Sequence, residues 1–194
     1  MRVGVVFLFT ILMLSANQVV LAQGVNTVGF GYSRLSVDGE HGADLEGWGF
    51  AYHFQVWPSS ESEGLLARLG VQGTWNNADS DLDPYDIFRT ERIENVDLLT
   101  PQVEVGWHQK IGTSVFIEPS VALGWAIALY QPREILEDKD IETGLAIRPG
   151  VLIGLGSNRP CIGIDVSYGL AQIDFEDGVG GDNKDLYVGA FVRF

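Results

Sequence analysis

The chain is short of cysteine, of basic residues and of long apolar runs, and each shortage removes a class of protein. Cys161 is the sole cysteine in 194 residues. No internal disulfide can form, and the residue reads as a small side chain near a turn. Twelve Lys and Arg stand against 26 Asp and Glu, a formal net charge of −14. Nucleic-acid binding needs basic patches that neutralise phosphates, so this balance excludes it. Past the amino terminus there is no run of 18 consecutive apolar residues, which leaves no candidate for a helical membrane span there.

What is present begins with the pattern of an export signal. Arg2 supplies a positive start, residues 3–14 form an apolar core, and Val20-Leu21-Ala22 offers the small residues a signal peptidase reads. Cleavage is expected before Gln23, which makes 1–22 a signal peptide and 23–194 one domain. The apolar core is too short to span a bilayer as a helix. The residue directly after the cleavage point is Gln23 rather than Cys, so a lipoprotein anchor is not expected.

The remainder alternates with period two. Eight strands are predicted, over roughly 25–36, 45–57, 65–76, 95–109, 114–129, 141–156, 161–173 and 184–194. In the last of them Leu186, Val188, Ala190, Val192 and Phe194 alternate with Tyr187, Gly189, Phe191 and Arg193. In strand seven Ile162, Ile164, Val166, Tyr168 and Leu170 oppose Gly163, Asp165, Ser167, Gly169 and Ala171. None of the outward positions assigned over the eight strands carries a charge. An Arg or Lys at mid-bilayer on a lipid-facing position costs about 2–4 kcal/mol, which is the physical reason to expect lipid there. Connections at 58–64, 110–113 and 157–160 are read as short; those at 38–44, 77–93, 131–140 and 174–183 as generally longer and more polar. An eight-stranded antiparallel up-and-down transmembrane barrel fits, all-β, with both termini on the periplasmic side of a Gram-negative-type outer membrane.

The opposite face carries His53, Arg68, Glu104, Glu118, Arg148, Asp165 and Arg193. An eight-stranded barrel is only wide enough for its side chains to fill, and isolated buried charges are very costly. These residues should therefore pair into an ion-pair plug; the rival reading is a narrow pore for ions or small polar solutes. Trp48, Trp75 and Trp125, with Tyr32 and Tyr168, sit toward the long-connection side. Trp57 and Trp107, with Phe54 and Phe194, sit toward the short-turn side, as expected of two interfacial girdles. Pro101, Pro119 and Pro149 fall inside strands, where bulges are the expected remedy. They share a phrase: TPQVEVGW, EPSVALGW and RPGVLIGLG.

With its signal, alternating Gly-rich strands, Pro-x-Val phrases and final Phe194, the chain resembles the small outer-membrane β-barrel family, which includes opacity-type adhesins and the barrel domains of OmpA-like proteins. The resemblance covers 23–194 and rests on pattern. It implies that Phe194, with Val192, Ala190 and Val188, is the signal read by the barrel-insertion machinery. It further implies outer-membrane lipid and lipopolysaccharide as surroundings, with a monomer expected.

Some barrels of this size modify lipid A, the third functional class. A deacylase-type site would want His and Ser on one lipid-facing strand. His53 and His108 point inward, His41 lies in a connection, and Asp165 and Ser167 share a strand without a His partner. No catalysis, cofactor or resident metal is expected. The long connections with their flanks hold 18 of the 26 acidic residues. The densest group is Asp79, Asp81, Asp83 and Asp86. Its spacing is like the start of an EF-hand loop, but Pro84 stands where that loop needs Gly and Thr90 where a bidentate Glu belongs. A structural or surface-interaction role follows, toward a basic or cation-bridged surface partner.

Overall fold

The computed structural model describes residues 25–37, 43–57, 63–78, 93–132, 140–156, 160–174 and 180–194. They form β1 (Val25–Val37), β2 (Ala43–Trp57), β3 (Gly64–Ala78), β4 (Ile93–Ile111), β5 (Val115–Pro132), β6 (Asp140–Leu155), β7 (Cys161–Asp174) and β8 (Gly180–Arg193). Each strand pairs antiparallel with its sequence neighbours, and β1 pairs with β8 to close the barrel. Gly31 on β1 faces Gly49 on β2 and Gly189 on β8. Asn26 and Phe194 extend the seam by two backbone hydrogen bonds of 3.0 and 2.9 Å. Closure matters because an unsatisfied backbone group in hydrocarbon costs several kcal/mol, and an open edge would leave a row of them.

The strands are longer than the alternation predicts, chiefly away from the termini. β8 starts at Gly180 rather than near 184, and β4 runs over Ile93–Ile111. Alternation is blurred there because charged residues occupy both faces beyond the apolar band. The connections at 38–42 and 175–179 are consequently as short as those at the terminal end. Only 79–92 and 133–139 are long. At the terminal end, residues 112–114 form a tight turn in which Gly112 has φ 67°, a left-handed conformation that glycine adopts without Cβ strain.

The two faces separate by period two. Among the described residues, outward positions from Val28 to Tyr32, Trp48 to Val56, Leu65 to Trp75, Leu99 to Trp107, Ile117 to Leu129, Thr143 to Leu155, Ile162 to Leu170 and Leu186 to Phe194 carry no charge. Charge reappears on the outer face only beyond that band, as in the exposed Arg34–Asp44 pair at 3.1 Å. Trp48, Trp75, Trp107 and Trp125 all project from this outer surface. Phe30 and Trp48 stack with ring centres 5.9 Å apart.

The bulges expected at Pro101, Pro119 and Pro149 are not found. The register shifts lie instead at Gln55/Trp57 and Ile93/Asn95. Beside each proline the ladder toward one neighbour skips two pairs at constant register. The gaps fall between Leu99–Ile127 and Gln102–Gly124, between Gly106–Ser120 and Gln109–Ile117, and between Ile147–Leu170 and Gly150–Ser167. Proline lacks the N–H those pairs would use, so the bond is dropped without displacing the strand. The unbroken register sets Pro101 across from Trp125, Pro119 across from Trp107 and Pro149 across from Tyr168. The phrases TPQVEVGW and EPSVALGW are thus complementary in antiparallel pairing, the proline of each opposite the tryptophan of the other. Between β5 and β6 the same logic pairs Pro119 with Val151 and Val121 with Pro149.

Leu123 lies at the middle of β5 and is 56% exposed. Leu123→Arg is expected to lower folding stability in liposomes by about 2–4 kcal/mol, measured by urea unfolding. An unchanged unfolding midpoint would contradict a lipid-facing position.

Candidate functional site: the barrel interior

Inward positions of β3, β4, β5 and β8 bring four charged side chains together. Arg68 on β3 donates from Nη1 to Glu104 Oε1 on β4 at 2.8 Å and from Nη2 to Glu118 on β5. Glu118 is fully buried. It also accepts from Arg193 Nη1 on β8 at 2.7 Å, and its Oε1 lies 2.6 Å from His108 Nδ1. Two guanidiniums and an imidazole thus converge on one carboxylate. Arg193 is further fixed by its Nε–H to Thr27 Oγ1 at 3.1 Å and by lying over the Phe116 ring, 4.6 Å from its centre.

A second group continues the network across the barrel. His53 on β2 places Nδ1 2.9 Å from Glu104 Oε2 and Nε2 3.5 Å from Asp165 Oδ2. The imidazole thus lies between two carboxylates carried on β4 and β7. Arg148 Nη2 lies 2.8 Å from Asp185 Oδ2. The guanidinium of Arg148 rests against Gly169, where a Cβ would stand 2.7 Å from Nη2. Among the buried described residues the interior holds three guanidiniums and four carboxylates, with His53 and His108 beside the carboxylates.

Apolar layers bound this polar section. Toward the terminal end Phe116, Leu152, Cys161 and Phe191 pack together. At the opposite end the interior is filled by a cluster that includes Leu35, Val37, Leu45, Val96, Leu98 and Ile173.

All seven inward residues named from sequence, His53, Arg68, Glu104, Glu118, Arg148, Asp165 and Arg193, are buried inside the barrel. Asp185 needs correction. Counted by sequence among the acidic flanks of the long connections, it lies inside the wall, buried, as the partner of Arg148. The signal was available: carried back from Tyr187, the β8 alternation makes 185 an inward position. Asp44, assigned by sequence to the connection 38–44, likewise belongs to β2. His108 was placed inward by sequence but not joined to Glu118, because strand alternation gives a direction without a partner. Asp79, Asp81, Asp83 and Asp86 fall outside the described residues, as does the 1–22 segment.

Removing one member of a buried ion network strands its partners. Glu118→Ala is expected to cost about 3–5 kcal/mol in liposome unfolding experiments. Glu118→Gln, which keeps the shape and one acceptor oxygen, should cost less. Equal stability of wild type and Glu118→Ala would contradict the shared-carboxylate geometry.

No family profile matches the chain, and no curated protein sequence does. Solved structures do. Neisserial surface protein A superposes with a TM-score of 0.55 at 10% identity, over 87% of this chain and 95% of that one. Ail, the attachment invasion locus protein of Yersinia pestis, superposes with a TM-score of 0.51 at 13% identity, over 89% of this chain and 99% of that one. Identities this low speak to architecture alone. With its closed antiparallel eight-stranded wall and uncharged outer band, the chain has the fold of the small eight-stranded outer-membrane β-barrels.

Proposed function

We propose that this chain is a non-enzymatic outer-membrane protein whose wall does not conduct and whose role is structural or interactive, exercised through its acidic surface connections. One observation carries the reading: the described interior is filled along the barrel by the Arg68–Glu118–Arg193 network, the His53 and Arg148 pairs and apolar layers on either side. A lumen of this width, packed with paired side chains, favours a plugged wall over a pore. Against lipid A chemistry stand the inward, ion-paired His53 and His108 and the inward Ser167, whose hydroxyl donates to Gln72 Oε1 at 3.4 Å. Among the described residues no His and Ser share the lipid face.

The connections supply the chemistry left for a partner. Their carboxylates suit a basic surface, or lipopolysaccharide bridged by divalent cations, and the longest of them, 79–92, would make the first contact. The termini would lie on the periplasmic side, opposite that connection.

Two measurements test this. In planar bilayers both the wild type and Arg148→Ala should give no current steps; reproducible steps from the wild type would overturn the reading in favour of a pore. Deleting 79–91 should leave heat-modifiable migration intact and reduce binding to polylysine surfaces, or to calcium-loaded lipopolysaccharide vesicles, several-fold. Equal binding by deletion and wild type on both surfaces would count against a role for that connection.

A further inference from the structure

The ion pairs do not use every polar atom in the middle of the barrel. A chamber of about 10 Å³ is lined by His53, Gln72, Gln102, Arg148, Asp165 and Ser167, with Ser120 and Ala122 on the β5 wall. Arg148 is 4% exposed, and while Nη2 meets Asp185, Nε and Nη1 have no protein partner. Gln72 is 3% exposed; its Oε1 accepts from Ser167 while Nε2 is unpartnered. Gln102, at 6% exposed, has an unpartnered Oε1. Three different strands therefore present buried donors and a buried acceptor around one small space. Buried polar groups in folded proteins are nearly always satisfied, by protein or by ordered solvent.

The chemistry selects the occupant. It must accept from a guanidinium or amide N–H and donate to an amide oxygen. A halide only accepts, and an alkali or divalent cation can use only the oxygens. Glu104 and Asp165 line the same space as Arg148, so a halide would sit against two carboxylates and a cation against the guanidinium. A space of this size holds about one water molecule. We propose that the mid-barrel chamber is a binding site for a single long-lived water, held between Arg148, Gln72 and Gln102 as a working member of the interior network. The water joins Arg148 on β6 to Gln72 on β3 and Gln102 on β4.

The test is water-to-protein magnetisation transfer by NMR on the full barrel in lipid nanodiscs, read at the Gln72 side-chain amide protons, which exchange slowly. The wild type should show a cross-peak at the water frequency with the sign of a bound, long-lived water. Ser167→Ala, which removes the nearest hydroxyl able to relay that signal, should retain it. Ala122→Val and Ser120→Val, which fill the chamber, should abolish it in whichever folds with the wild-type amide fingerprint. No cross-peak in the wild type, loss in Ser167→Ala, or persistence in a folded filled variant would each overturn the proposal. So would saturable shifts of the Gln72 and Arg148 Nε–H resonances on sodium bromide titration, which would assign the site to a halide.

Discussion

Every backbone N–H and C=O inside a bilayer must find its partner within the protein, and this constraint organises the whole molecule. A sheet meets it only by closing on itself. Closure through β1 and β8 fixes the strand number, and the strand number fixes the lumen width. The lumen admits side chains and little else, so the inward face has to pack as a core while the outward face is left to lipid. The prolines show how strictly this holds: where Pro101, Pro119 and Pro149 remove a donor, the register is kept and the loss is confined to two pairs beside each.

The core made under that constraint is unusual in being polar at its middle. Buried ion pairs are poor evidence of stabilisation, since desolvation offsets most of their attraction. Their value here is in the combination. Glu118 can be buried because Arg68, Arg193 and His108 share it, and Glu104 because Arg68 and His53 do. A one-residue slip of a strand that carries an inward charge would turn that charge to lipid and orphan its partners, so the network penalises the wrong register more than it stabilises the right one. The apolar layers above and below keep the network from bulk water.

A wall built in this way leaves its chemistry at the rim. The outer band is uncharged, the interior charges are paired, and the negative charge of the chain is carried mainly beyond the band. Neisserial surface protein A and Ail share the barrel at identities of 10% and 13%, a level that speaks for the scaffold alone.

The sequence by itself determined the class. Period-two alternation with one uncharged face is a direct consequence of strands standing between lipid and a packed interior, and it revealed the strand count and the inward direction of His53, Arg68, Glu104, Glu118, Arg148, Asp165 and Arg193. It also held the TPQVEVGW and EPSVALGW echo without its reason, because the reason is the pairing of β4 with β5, which places each proline across from the other phrase's tryptophan. Only the tertiary structure decided who meets whom inside. Asp185 and Arg148, or Glu118 and His108, lie on strands whose relative stagger is set by the closure of the barrel. Alternation gives a side chain its direction, whereas the height at which it enters the lumen depends on register accumulated around all eight strands, and a local pattern cannot encode that.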